Sequence, residues 1–261
     1  MQLYAPAGFD REGAVYLATL VDTAYDMFSQ WVAQGHPAAD EFRWTPQGPA
    51  LSYSAPVWGT TRELFVFRHV EPFAFVASAG EQGYVVFRGT QTPQDAISDL
   101  SAGQRAFELA PSYGDAHEGF VAVYETISPA LRAAVAALPA TVQRLAITGH
   151  SMGSAFSTLA VADLLTHSRF PAEALLHVNL ASPRVASVPF AEAYARAGVP
   201  TYRVVNTCDL VPELPPSVLG EDLYCHVGAP VAFTHQRGSI EGNHSAKDSY
   251  RQALESADRI R

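Results

Sequence analysis

The chain has little cysteine, little charge and no long apolar run. Its two cysteines, Cys208 and Cys225, are too few for a disulfide framework and stand in no CxxC spacing for metal or redox chemistry. Two thiols are expected, with a bond between them left open. Charged residues make up 16% of the 261, against 48% hydrophobic, so material for a large core is ample. No apolar stretch approaches the roughly 20 residues of a membrane span, and a soluble globular protein is expected. Basic residues are scarce. Lys and Arg number 17 against 26 Asp and Glu, and the formal net charge of −9 argues against nucleic acid and against electrostatic attraction to anionic lipid. The N-terminus, Met1-Gln2-Leu3-Tyr4, lacks the basic segment and continuous apolar core of a secretory signal. No charge run, low-complexity linker or internal repeat divides the chain, so one domain over residues 1–261 is expected.

What is present is alternation of strand and helix. Leu17, Val21, Ala24, Phe28 and Trp31 recur at three- and four-residue steps and predict an amphipathic helix over 12–34. Short strands are expected at 63–67, 73–78 and 84–87. Residues 91–116 then read as a long loop with a short helical stretch at 93–100, and loops of that length inside compact domains are usually functional lids or disordered. Phe120, Val123, Ile127, Leu131, Val135 and Leu138 mark a second helix. Beyond it come a strand ending near Thr148, a helix over 153–165, a strand over 174–180, a helix over 189–196, strands over 201–206 and 224–233, and a last helix over 245–257. The order predicts an α/β fold, a mostly parallel central sheet with helices on both faces.

The centre of the sequence is Gly149-His150-Ser151-Met152-Gly153, which follows the apolar run Leu145-Ala146-Ile147 and leads into a small-residue helix. A Gly-x-Ser-x-Gly pentapeptide between strand and helix is the signature of a sharp turn that holds a strained serine at the sheet's edge, with glycines letting the two elements approach. Ser151 therefore reads as a nucleophile. A serine hydroxyl needs a base and a carboxylate to orient that base. Asp209, just beyond the strand at 201–206, sits where functional residues of open parallel sheets collect, with Glu213 and Asp222 as rivals. Of the histidines that follow, His226 lies in an apolar pattern and reads as structural, His235 lies just past the strand, and His244 opens the last helix from a loop. His244 is the preferred base. No HExxH or paired-cysteine spacing supports a metal site, and this chemistry implies no cofactor.

Four separated pieces, in order, resemble the class 3 lipase family, the serine hydrolases typified by fungal triacylglycerol lipases and related to feruloyl esterases and plant phospholipases. They are Val86-Phe87-Arg88-Gly89-Thr90, His117-Glu118-Gly119-Phe120, the serine pentapeptide with Ala181-Ser182-Pro183-Arg184-Val185, and Arg203-Val204-Val205-Asn206 leading through Asp209 to Val211-Pro212. The resemblance implies an α/β-hydrolase fold, a triad of Ser151, Asp209 and His244, and an oxyanion hole from Thr90 and the backbone N–H of Met152. It makes the 91–116 segment a lid, with transient lipid-interface contact through it and no stable protein partner. Where many of these lipases carry a lid tryptophan, this chain has Ala96, with Ile97 and Leu100 as the sizeable apolar groups. The implied substrate is a small-molecule or lipid ester; a thioester or aryl ester such as a feruloyl ester, or a non-catalytic ligand-binding module, are the alternatives.

Overall fold

The computed structural model describes residues 1–63, 67–90, 103–257 and 259–260. The lid helix expected at 93–100 lies outside the described residues. An eight-stranded sheet runs, by residue range, in the order 229–233, 201–206, 175–180, 144–150, 82–87, 67–79 and 52–53, with 57–63 paired on 67–79. Its parallel part consists of β5 (Gln82–Phe87), β8 (Arg144–His150), β9 (Leu175–Leu180), β10 (Thr201–Asn206) and β13 (Ala229–Phe233). The antiparallel edge is β2 (Ser52–Tyr53), β3 (Val57–Glu63) and β4 (Phe67–Ala79).

Side-chain alternation along the parallel strands builds two cores. Val85, Phe87, Leu145 and Ile147 point to one face, where α2 (Glu118–Ala136), α3 (Met152–His167) and α4 (Val188–Ala197) cover them. Val86, Ala146, Val178, Leu180 and Val204 point to the other, where α1 (Arg11–Ala33) and the C-terminal segment lie. The apolar stripe of α1 is buried at Leu17, Val21, Ala24, Met27 and Trp31, each large side chain contributing about 1.5–3 kcal/mol, and Asp10 caps the helix through the Gly13 N–H. Helix α3 is buried at every position from Gly153 to Leu164, as a helix lodged between sheet and helices must be.

Of the strand expected at 63–67, Glu63 and Phe67 are described and partner each other across an antiparallel pair, β3 with β4; residues 64–66 lie outside the described residues. Two expectations need correction. The strand at 224–233 is only β13, because Gly228 has φ +78° and packs so tightly that an added Cβ would lie 2.3 Å from Thr201 Cγ2. Nor is 103–116 an open loop. It holds β6 (Gln104–Ala106) paired with β7 (Asp115–His117), and Phe107 is fully buried against Tyr124 and Phe190. Cys208 and Cys225 are free thiols.

On the α3 side of the sheet, His177 is fully buried between Ser157 Oγ (2.8 Å) and Tyr194 Oη (2.7 Å), and burial pushes its pKa down to about 3. The folded state keeps it neutral while the unfolded chain takes a proton near pH 6.5. Stability from this residue is thus complete above that pH and lost as pH falls towards 3. Between pH 7 and pH 5 the loss should be about 2 kcal/mol. Urea unfolding of His177→Gln should show a shallower decline than the parent over that interval; parallel declines would count against it.

Candidate active site

All five parallel strands end at the same edge, and the residues singled out from sequence follow four of them. Arg88 to Thr90 leave β5, Ser151 leaves β8, Asp209 leaves β10, and His235 and His244 follow β13. Ser151 has φ 58° and ψ −129°, a conformation L-residues adopt at a cost of about 1–3 kcal/mol. Close packing enforces it. An added Cβ at Gly149 would lie 2.2 Å from the Gly153 carbonyl oxygen, and one at Gly153 would lie 2.3 Å from that of Arg88. Ser154 ties the turn to the sheet, its hydroxyl 2.7 Å from the carbonyl oxygens of Gly149 and Leu180.

Asp209 and His244 are brought together in the buried interior. His244 Nδ1 is 2.7 Å from Asp209 Oδ2, which also accepts from Tyr250 Oη at 2.6 Å, while Asp209 Oδ1 accepts from the Val211 N–H at 3.0 Å. Two donors besides the imidazole fix the carboxylate in angle. The outer nitrogen of His244 and the hydroxyl of Ser151 are both buried without a hydrogen bond among the described residues. A hydroxyl and an imidazole left unpaired in this way have full capacity for an incoming polar substrate. Contrary to expectation, His244 does not open the last helix: it closes the short helix α5 (Ile240–His244), after which a π-helical turn at Ala246–Arg251 leads into α6 (Gln252–Ser256).

The rival residues lie elsewhere. Glu213 ion-pairs with Arg184 at 2.7 Å on the surface, and Asp222 accepts the Gln104 N–H. His226 bonds the Pro212 carbonyl at 2.9 Å, and burial among Arg203 and Arg184 pushes its pKa down to about 3. His235 contributes backbone contacts to Asn206.

Several supporting residues escaped the sequence reading. Asn206 donates to the carbonyls of His235 and Asn243 and to Ser249 Oγ, and accepts from the N–H groups of Cys208 and His235. Asn243 in turn donates to the Cys208 carbonyl. The acid loop and the histidine loop are thereby one hydrogen-bonded unit. Arg88, 2% exposed, pairs with Glu71 at 2.7 Å, stacks 3.9 Å over Phe28, and donates to the Gly89 carbonyl at 2.7 Å. That carbonyl and the Thr90 N–H are opposite sides of one planar peptide, so the guanidinium fixes where the N–H points. Gly89 itself is pressed on Ser151, with an added Cβ only 2.8 Å from the Ser151 Cβ. Met152 is the first residue of α3, where a backbone N–H has no partner within the helix. Tyr25 Oη lies 2.8 Å from His150 Nδ1, and the His150 ring packs 4.6 Å from that of His244. Burial, reinforced by the neighbouring His244, pushes the His150 pKa well below the usual range and keeps a second cation from forming beside that ring.

Residues 84–219 match the family model for class 3 lipases. The chain belongs to that family. Among curated relatives, the lipase of Rhizomucor miehei is 33% identical over 154 residues, 56% of this chain and 40% of that protein. The secreted mono- and diacylglycerol lipase 1 of Fusarium solani is 32% identical over 151 residues, 56% of this chain and 44% of the relative. The chain thus spans less than half the length of these class 3 relatives. In three dimensions the R. miehei lipase in its propeptide complex superposes with a TM-score of 0.67 at 25% identity, over 89% of this chain and 71% of that one. The lipase of Rhizopus microsporus var. chinensis, at 23% identity, shares the fold with a TM-score of 0.67 over 94% and 84% of the two chains.

The structural weight of Asn206 is directly measurable. Asn206→Leu keeps the volume but orphans buried partners on both loops, and should lower the unfolding free energy by about 3 kcal/mol in urea titration. A loss under about 1 kcal/mol would show that the loops hold without it.

Proposed function

We propose that this class 3 lipase chain is a serine carboxylic-ester hydrolase working through an acyl-enzyme on acylglycerols or similar lipid esters. The observation that carries the reading is the buried His244–Asp209 pair, 2.7 Å apart, beside a serine strained at a helix N-terminus. Ser151 Oγ attacks the ester carbonyl carbon and passes its proton to His244 Nε2. Asp209 holds the imidazole in the tautomer with the proton on Nδ1 and stabilises the imidazolium that forms. The oxyanion is received by the N–H groups of Thr90 and Met152, a kind of donor worth about 3–4 kcal/mol each. The tetrahedral intermediate collapses as His244 protonates the leaving alkoxide, and water repeats the sequence on the acyl-enzyme to release the acid. The whole of 1–261 serves this one site as a single domain, with the lid confined to the stretch before Gly103, since β6 and Phe107 belong to the body of the fold.

Ser151→Ala should lower kcat on p-nitrophenyl butyrate by on the order of 10⁴ or more with an unchanged circular dichroism spectrum. His244→Ala should match it, whereas His226→Ala and His235→Ala should stay active. Retention of more than about one per cent by Ser151→Ala would sink the reading.

The lid carries Ala96 rather than an aromatic, and the burial of Phe107 removes the next apolar group along the chain. An aromatic side chain would have added about 3–5 kcal/mol of interfacial drive. A preference for short and medium acyl esters follows, with only a weak rate rise as tributyrin passes its solubility limit. A sharp rise, with p-nitrophenyl palmitate the better substrate, would contradict it.

A further inference from the structure

Tyr25, in α1, touches two of the segments that make the site. Its hydroxyl lies 2.8 Å from His150 Nδ1, and the Gly89 N–H donates to the same oxygen. The approach is close: an added Cβ on Gly89 would lie 2.4 Å from Tyr25 Oη. Since Arg88 already holds the Gly89 carbonyl, both polar ends of that residue are fixed. The direction of the Tyr25–His150 bond follows from what each partner needs. The phenol keeps its proton, because burial pushes its pKa up, and His150 Nδ1 is the one acceptor bonded to its hydroxyl among the described residues. Were Nδ1 to carry the ring proton, the Tyr25 O–H would have nothing to receive it and would lose its solvation without return. So Tyr25 donates, Nδ1 accepts, and the single proton of the neutral His150 ring resides on Nε2. That nitrogen is buried without a hydrogen bond among the described residues, and the two ring centres of His150 and His244 are 4.6 Å apart.

Resting on the hydrolase reading above, we propose that Tyr25 is a positioning residue: by engaging the one lone pair of His150 it makes that ring a fixed N–H donor, so that of the two adjacent imidazoles only His244 can take the proton of Ser151. Without the hydroxyl, the His150 proton is free to move to Nδ1 and leave a lone pair on Nε2. A lone pair beside His244 stabilises its imidazolium, holds back the proton that the leaving alkoxide needs, and raises the pH at which His244 becomes neutral. The other charged and titratable groups around the two rings are Asp209 and Tyr250 on the Nδ1 side of His244, the Asp22–Arg251 and Arg88–Glu71 pairs, and Asp26, Glu241 and Lys247 along the neighbouring cavity. All of them stay in place when one phenol hydroxyl is removed, so a comparison of variants isolates its effect.

The test has a spectroscopic and a kinetic arm. Nitrogen-15 NMR of the imidazole rings should find His150 neutral, with its proton on Nε2, from about pH 5 to 8; a proton on Nδ1 would overturn the proposal with no variant needed. In hydrolysis of p-nitrophenyl butyrate, Tyr25→Phe should lower kcat about tenfold with KM unchanged and move the acid limb of kcat/KM up by about one pH unit. His150→Gln supplies the control, since its amide can accept from Tyr25 through oxygen and present an N–H on the other side, with no lone pair to exchange. In the His150→Gln background, Tyr25→Phe should therefore leave the acid limb where it was. A limb unmoved by Tyr25→Phe alone, or moved equally in the His150→Gln background, would overturn the role of Tyr25 while leaving the hydrolase reading intact. No hydrolysis of the ester by the parent protein would overturn both.

Discussion

The site depends on a place where three segments of backbone come too close for side chains. Gly89, Gly149 and Gly153 each face main-chain atoms that an added Cβ would approach to between 2.2 and 2.7 Å. That contact presses the end of β5, the end of β8 and the start of α3 into one knot, and Ser151 occupies the left-handed backbone region because the knot leaves no other path. The strain of about 1–3 kcal/mol is small beside what holds it: a helix buried on every side and the Ser154 hydroxyl, whose one proton is shared between carbonyls of β8 and β9 while its oxygen accepts the Leu180 N–H, each net bond worth about 1 kcal/mol.

A second constraint joins neighbouring strands. Asp209 and His244 come from loops after β10 and β13, which pair in register from Tyr202 with Ala229 to Asn206 with Phe233. Asn206, at the end of that ladder, spends its side chain on both loops, so the distance between carboxylate and imidazole is set by sheet geometry rather than by flexible chain. Tyr250, on the turn that follows His244, closes the same unit from beneath. Electrostatics agree with this geometry: among the described residues the titratable ring packed on His244 is that of His150, and burial keeps it neutral.

Much of this was legible in the sequence, and the reasons are particular. The helices at 11–33, 118–136 and 152–167 were readable because a one-sided or fully buried helix leaves a periodic or continuous apolar record, and the strand at 201–206 was readable to the residue. Ser151 is singled out by the Gly-x-Ser-x-Gly pentapeptide between strand and helix, Asp209 by its place just beyond a strand of an open parallel sheet and His244 by its loop setting, with the triad as a set implied by the family resemblance. Polar β3 left no such record, and the π-helical turn at 246–251 reads as ordinary helix because its apolar spacing is similar. The supporting residues were hidden for another reason. Asn206, Arg88 and Tyr25 each bond at least one partner 16 to 125 positions away, and nothing in local pattern distinguishes an asparagine that knits two loops from one that ends a strand.

The central claim is that the backbone knot and the Asp209–His244 unit together make one serine hydroxyl uniquely reactive. The most direct measurement is treatment of the native protein with a fluorophosphonate, followed by intact mass and peptide mapping. The account predicts a single adduct, carried on Ser151, formed rapidly at neutral pH and suppressed by Asp209→Asn. No adduct, or one on Ser154, Ser157 or another hydroxyl with Ser151 unmodified, would contradict it.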